Sequence, residues 1–330
     1  MEDTAAKQTP NTEPFFARLK AKLKSYKLIY YPAHYILWPI KRFKPFMRWQ
    51  IYKHTVKFNP NGLNRTEHRP RKIIVSLTSY PARMKFVPYV IASLLNQTMK
   101  PDKIILWLAE PQFPDKKLPR IFKKLQACGV EVKFCPENLG PHTKYFYALQ
   151  EYPEDLIITF DDDIIYRDFI IETLYKSYLE HPDCVSAMRV TVMNLMPDGS
   201  FSFPLWYREP DNSKGQESHS FFATGVAGAL YPPHSFSDEV FNVKAMMKLC
   251  PRADDTWLKI MEVMHGVKVA SAFTPNATQG WEIIGSQKFA LWKKNVIDRA
   301  DVAQLNAAFE AYSDWRDPEG RTLFEVIREG

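Results

Sequence analysis

Three consecutive aspartates, Asp161, Asp162 and Asp163, follow directly on the apolar run LIITF at 156–160. Carboxylates this close repel one another unless a cation or another positive group compensates them. Hard oxygen donors of this kind suit Mg²⁺ or Mn²⁺, metals commonly shared with the phosphates of a substrate. In an extended segment the first and third residues point the same way. Asp161 and Asp163 are therefore expected to address one ligand while Asp162 faces elsewhere. The competing reading is a helix start, since acids favour the positive end of a helix and 164–178 reads as one. A single aspartate would serve that purpose, so three after an apolar strand favour the metal. A second acidic pair, Asp254 and Asp255, opens a predicted helix over Asp254–Met264, where capping would also account for them.

Delivering carboxylates to a ligand requires a strand beneath them. Residues 73–77 (IIVSL) form a short continuous apolar run, the pattern of a parallel strand buried on both faces. The runs 103–108 (KIILWL), 130–134 (VEVKF) and 156–160 repeat it, with helices predicted over 84–97, 118–128 and 143–152. Such alternation predicts an α/β fold: a Rossmann-like, mostly parallel central sheet flanked by helices. Open sheets of this kind bind ligands beyond the carboxyl ends of their strands, and the aspartates sit at such an end. A further strand is predicted at 267–270 (VKVA). Between 192 and 222 the periodicity gives way to a long polar stretch, which is uncommon inside a compact body unless it has a task.

The segments IIVSLTSYPAR, ENLGPHTKY, ITFDDDIIY, GVAGALYPP and ADDTWL, in that order, resemble bacterial glycosyltransferases of the GT-A type, related to glycosyltransferase family 2. The resemblance covers about 72–295 and implies an enzyme using Mn²⁺ or Mg²⁺. Such an enzyme moves a sugar from a nucleotide-sugar, a UDP-sugar foremost, to a saccharide or lipid-linked glycan in surface polysaccharide assembly. It implies that Thr78, Ser79, Tyr80, Pro81 and Arg83, after the first strand, hold the base and ribose. Lys144 would reach the diphosphate as a point charge. Asp161 matches the acid nearer the ribose, with Asp162 beside it, and Asp163 with Asp161 would bind the metal. The metal would offset charge on the departing nucleoside diphosphate.

An inverting transfer also needs a carboxylate that takes the proton of the acceptor hydroxyl. The family pattern puts it at the start of the helix Asp254–Met264, with Asp255 first and Asp254 second. Gly225 and Gly228 allow backbone to approach a ligand closely and are expected to wall the acceptor site. Trp206 and Tyr207, in the polar stretch, are expected to stack on a sugar face. No histidine offers itself as a third metal ligand, so phosphate and water oxygens would complete the shell. The segment 279–292 is expected to lie near the site, without an assigned role.

Net charge is +7 over 330 residues, but it is unevenly spread. Residues 15–72 hold fifteen Lys or Arg against one acid, Glu67, which leaves the rest of the chain net acidic. Phe15, Leu19, Leu23, Tyr26 and Tyr30 share one helical face, and Lys20, Lys22, Lys24 and Lys27 decorate the other side. Aromatics interleaved with basic residues suit the headgroup region of an anionic leaflet. The expected organisation is a disordered start at 1–14 and a basic amphipathic arm at 15–70. A catalytic domain follows at 71–295, with a nucleotide-sugar half (71–165) and an acceptor half (166–295), then a C-terminal helical tail at 296–330.

A bilayer-spanning helix takes about 20 apolar residues, and the apolar stretch 28–40 is shorter and broken by Pro32, His34 and Pro39. The start lacks the layout of a secretory signal. Cys128, Cys135, Cys184 and Cys250 form no CxxC pair and read as reduced thiols. These features predict a cytoplasmic protein, peripheral on the inner face of the cell membrane. No recognition motif accompanies the basic arm, so nucleic acid is not expected as a partner. Two other classes remain: a metal-dependent nucleotidyl or phosphoryl transferase, though no GxxxxGK[ST] loop is present, and a non-catalytic, membrane-associated carbohydrate-binding scaffold.

Overall fold

The computed structural model describes residues 43–193, 213–272, 279–286 and 300–330. Expectations for 1–14, for 15–42 of the arm, for Trp206 and Tyr207, and for 287–299 lie outside the described residues. The chain divides into two compact units, Met1–His54 and Thr55–Gly330. Of the first, the described residues form a helix, α1 (43–55). Along it Phe43, Phe46, Met47 and Ile51 are exposed at helical spacing. Among the described residues no helix is long and apolar enough to cross a membrane.

The second unit is α/β. Strands β1 (Ile73–Thr78), β2 (Lys103–Ala109), β3 (Glu131–Cys135) and β4 (Leu156–Thr159) are mutually parallel where they pair. Ile73 to Leu77 are all buried, because helices cover the sheet and no polar alternation is needed. The connecting helices are α2 (Val87–Leu94), α3 (Phe122–Ala127) and α4 (Thr143–Glu151). Predicted strands and observed ones agree to within two residues at each end.

Strand order decides where a ligand can sit. With β6 (Val185–Ala187), β8 (Glu217–Ser218), β10 (Ala229–Tyr231) and β11 (Val269–Ser271), the sheet runs β3-β2-β1-β4-β10-β6-β11-β8. The first three strands step outward in one direction, and the fourth returns to the free side of β1. The loops after β1 and β4 therefore leave from neighbouring strand ends at a switch point, the position where such sheets open a crevice. Strand β10 is antiparallel to β4, with Ala229 opposite Thr159. Its entry turn, Gly225–Ala227, consequently lies at the same carboxyl end.

One predicted element is corrected. The residues after the three aspartates do not start a helix at 164; they form β5 (Ile164–Tyr166), paired antiparallel with β12 (Gly280–Glu282). The helix, α5 (Ile170–Glu180), begins later. Two β-branched isoleucines with a strand partner outweigh the apolar periodicity that suggested a longer helix. The aspartates cap nothing, which removes that alternative for them. A further pair, β7 (Val190–Val192) and β9 (Phe221–Ala223), brackets the polar stretch.

Helices α6 (Val243–Leu249) and α7 (Asp254–Met264) follow β10, and α8 (Ala300–Ala311) and α9 (Leu323–Glu329) end the chain. Helix α7 is buried on nearly every side, with Trp257 donating its indole N–H to Val240 O at 3.1 Å. Leu305, Phe309, Val326 and Ile327 of the last two helices belong to the same core as Trp257. Helix α9 starts at a capping box, with Glu325 N donating to Thr322 Oγ1 and Thr322 N to Glu325 Oε2. All four cysteines are free and buried.

Helix α7 also buries an ion pair away from the carboxyl edge. Lys259 Nζ lies 3.4 Å from Glu262 Oε2, with side chains 1% and 2% exposed. Burial pushes the Lys259 ammonium down, and pushes the Glu262 carboxyl up to about 7 despite its partner. Removing one member strands the other, whereas replacing both with apolar groups is often neutral or stabilising. Lys259→Met is therefore expected to destabilise the protein by about 3 kcal/mol or more. Lys259→Met with Glu262→Leu should recover most of that loss in urea denaturation; equal losses for the single and double variants would contradict the assignment.

Candidate active site

The loop after β1 turns onto the loop after β4. Pro81–Arg83 form a single 3₁₀ turn with proline at its start, where a missing N–H is harmless. This aims Arg83 inward. Its Nη1 pairs with Asp162 Oδ1 and its Nη2 lies 3.0 Å from Asp163 Oδ2. Ser79 Oγ donates to Asp162 Oδ2 at 2.6 Å. Thr78 Oγ1 donates to Trp107 O, and the Arg83 guanidinium lies 5.7 Å from the Tyr80 ring centroid. Residues expected to meet a base and ribose thus spend two of their polar side chains, Ser79 and Arg83, on aspartates.

The three aspartates divide differently from the expectation. Residues 162 and 163 lie in a turn, so strand alternation does not govern them. Asp162 and Asp163 share Arg83, while Asp161 Oδ1 accepts from Lys144 Nζ at 2.9 Å. Lys144 enters from the first turn of α4. Its backbone O accepts from Ser76 Oγ on β1, which in turn accepts from Trp107 Nε1 at 3.0 Å. The same ammonium lies 2.8 Å from Asp254 Oδ2. It bridges the two acidic segments.

The residues expected on the acceptor side converge on that ammonium. Gly225 N donates to Asp255 Oδ2 at 3.0 Å. A Cβ at Gly225 would lie 2.7 Å from Asp255 Oδ1 and 3.4 Å from Lys144 Nζ, so a side chain there would have to push the Asp255 carboxylate aside. Gly228, at φ +99°, presses on the Phe160 ring, 2.6 Å from where a Cβ would be. His142, fully buried, joins its Nε2 to Cys250 O at 2.6 Å and its Nδ1 to Tyr145 Oη at 2.7 Å. That ties the start of α4 to the segment leading into α7. Burial pushes His142 below its usual range.

Charge in the site is unbalanced. Five aspartates (Asp161, Asp162, Asp163, Asp254 and Asp255) meet two cations, Arg83 and Lys144. Burial, aided by the neighbouring acids, outweighs Arg83 and pushes Asp163 up to about 7. Burial and the charge of Asp254 push Asp255 up to about 8. Asp254 behaves oppositely: burial would raise it, but Lys144 and His142 outweigh that and hold it below the usual carboxylate range. Three acids outweigh the burial of Lys144 and keep it firmly protonated.

A divalent cation fits this donor set. The resident cations leave carboxylate charge uncovered at Asp163, and the donors are hard oxygens. Among the described residues no group of three or more His, Cys, Asp or Glu is arranged to hold a metal unaided. A cation here would therefore take further ligands from phosphate and water, as Mg²⁺ commonly does.

Sequence reasoning passed over three contributors. Glu282, on β12, faces Asp163 closely enough to raise it further; a three-residue strand carries too little periodicity to be seen. His142 was within a quoted motif but its partners, Tyr145 and Cys250, are only partly local. Tyr166 ends the motif ITFDDDIIY, where the apolar periodicity predicts a helix and the structure has a strand.

Residues 77–227 match the family model described as Glycosyl transferase family 2. The match includes the loop after β1, Lys144, the three aspartates and Gly225, and stops before Asp254. No curated protein matches the chain. Among solved structures, the mannosyltransferase PcManGT from Pyrobaculum calidifontis, in complex with GDP-Man and Mn²⁺, is 14% identical over 86% of this chain and 75% of its own, with a TM-score of 0.44. S. aureus TarS 1–349 in complex with UDP is 11% identical over 74% of this chain and 70% of its own, at 0.39. Glucosyl-3-phosphoglycerate synthase from Mycobacterium tuberculosis, with Mn²⁺, UDP and phosphoglyceric acid, is 17% identical over 38% of this chain, at 0.28. This chain spans 50% of that last structure's length.

The two glycines separate strain from displacement. Gly228→Ala forces a side chain into a positive φ against a buried ring and is expected to lower stability by about 1–3 kcal/mol. Gly225→Ala displaces only the end of the Asp255 side chain and should lower it by less than about 1 kcal/mol. Urea denaturation orders the two; the reverse order would refute this account of the turn.

Proposed function

We propose that the chain transfers one sugar from a nucleotide-sugar, a UDP-sugar foremost, to a saccharide or lipid-linked glycan acceptor, with inversion at the anomeric carbon. The observation carrying this reading is the meeting of two acidic segments on one ammonium, with the ammonium and the first of those segments within the residues that the glycosyl transferase family 2 model matches. Asp255 is the base. It is half-buried, its carboxyl is raised to about 8, and Gly225 N holds one of its oxygens. Asp254 is the weaker candidate because its charge is committed to Lys144.

In the transfer, Asp255 takes the proton of the acceptor hydroxyl. The freed oxygen attacks the anomeric carbon while the bond to the nucleoside diphosphate breaks on the opposite face. Lys144 keeps positive charge between the two carboxylate groups, and Arg83 fixes Asp162 and Asp163 in place. Mn²⁺ or Mg²⁺, when held by Asp161 and Asp163, supplies charge that stabilises the departing diphosphate. Thr78, Ser79, Tyr80 and Pro81 line the nucleotide side in this reading; Gly225 and Gly228 line the acceptor side.

The partner proposed for the arm is an anionic lipid surface, reached from the cytoplasmic side. In α1 the exposed ridge of Phe43, Phe46, Met47 and Ile51 is accompanied by Lys44, Arg48 and Lys53. This joins apolar insertion with charge attraction of about 1 kcal/mol for each basic residue near the surface. A lipid-linked acceptor in surface polysaccharide assembly would give such docking a purpose.

Purified protein with Mn²⁺ is expected to release a nucleoside diphosphate from one of the uridine, guanosine or cytidine sugar nucleotides. Pyrophosphate release would point instead to nucleotidyl transfer, and no metal-assisted affinity for any of them would overturn the reading. The value of kcat/KM should climb with pH toward about 8, since only the deprotonated Asp255 accepts a proton and this parameter reports the free enzyme. Asp255→Asn should lower kcat by about 10²–10⁴-fold and abolish that climb; a variant that keeps it has lost no base.

Deletion of residues 1–54 should abolish sedimentation with phosphatidylserine-containing vesicles at moderate salt. The cut stops there because Lys57 O and Asn59 Nδ2 are hydrogen-bonded to Asn96 and Leu95 within the second unit. Unchanged vesicle binding would exclude the docking role.

A further inference from the structure

We infer that the Tyr166 hydroxyl is a positioning group that sets the spacing between the donor-side aspartates and the acceptor-side base. The inference rests on the transfer reading above. Tyr166 ends β5 and its side chain is buried. Its Oη accepts from Asp161 N at 2.9 Å and donates to Val226 O at 3.0 Å. Asp161 belongs to the segment that leaves β4, whereas Val226 sits in the turn that leads into β10. Gly225, next to Val226, donates its N–H to Asp255. One hydroxyl thus joins the backbones of the two segments that align the carboxylates.

The ring that carries this hydroxyl has nowhere to go. It packs on Phe160 with centroids 4.5 Å apart, and Gly228 closes on the same Phe160 ring. Tyr166 N donates to Ser93 Oγ at 3.2 Å, and β12 holds the strand from the other side through Gly280. A Cβ at Gly280 would lie 2.5 Å from Ile165 O, so the two strands are as close as backbones allow. The hydroxyl is consequently a fixed point between two loops that extend beyond the paired ends of β4 and β10.

Fixed spacing matters to a reaction whose two partners are held by different loops. Misplacement by about 1 Å can lower a rate by roughly 10²-fold while leaving each partner bound. Phenylalanine at this position keeps the ring packing and removes only the link. Loss of the link frees the Asp161 amide and the Val226 carbonyl without touching any carboxylate.

The test is Tyr166→Phe, assayed well below its melting temperature. With the sugar nucleotide that the wild type turns over, kcat is expected to fall by about 10- to 100-fold. The donor KM, and the calorimetric affinity for UDP with Mn²⁺, should each stay within about threefold, and the Asp161 amide should exchange with deuterium faster than in the wild type. A kcat within threefold of wild type, or an equal loss of affinity and rate, would overturn the inference. Should the variant fail to fold, exchange in the wild type decides: an Asp161 amide as slow as those of β4 supports the link, and one that exchanges freely refutes it. A wild type that releases no nucleoside diphosphate removes the transfer reading, while amide exchange still judges the link separately.

Discussion

The Lys144 ammonium, enclosed by Asp161 and Asp254 and close to Asp255, is the contact on which the site depends. A carboxylate taken out of water is driven toward its neutral form unless charge is supplied nearby. One lysine supplies it to acids from two segments more than ninety residues apart in the chain. Removing it would leave two acidic groups repelling each other at the same strand ends. The lysine is itself fixed by backbone, through Ser76 and Trp107 on the two strands beneath it.

Topology explains why those segments meet. The return of β4 to the free side of β1 places two loop exits side by side, and the antiparallel insertion of β10 turns a third segment toward them. Helix α7 then enters with its first residues at that edge, steered by the bridge from His142 to Cys250 O. Binding positions in such sheets follow strand order rather than any single loop. The glycines at 225 and 228 are needed because backbone there must approach a carboxylate and a ring more closely than a Cβ permits.

The charge left uncovered by the resident cations gives the site its chemical character. Asp163 and Asp255 lie in the same cluster yet face different needs. The first can be satisfied by a hard cation, and the second retains proton affinity suited to a base near neutral pH. Asp254, beside Asp255 in sequence, is driven the other way by Lys144. Adjacent carboxylates with opposed proton affinities are a usual way for one site to divide its tasks.

The central strands were legible in the sequence because each is an unbroken apolar run buried on both faces, a signal that needs no knowledge of neighbours. The aspartates, Lys144 and the Asp254-Asp255 pair were likewise legible, since their types and order persist whatever the fold does in detail. Tertiary structure decided what those residues touch. It made 164–166 a strand, because β12 was available to pair with it, and it turned Arg83 and Ser79 onto Asp162. It also gave Tyr166 and Glu282 their places. A local pattern records how a segment prefers to fold, whereas partners and proton affinities depend on which distant segments are brought within a few ångströms, and that is settled only when the whole sheet has formed.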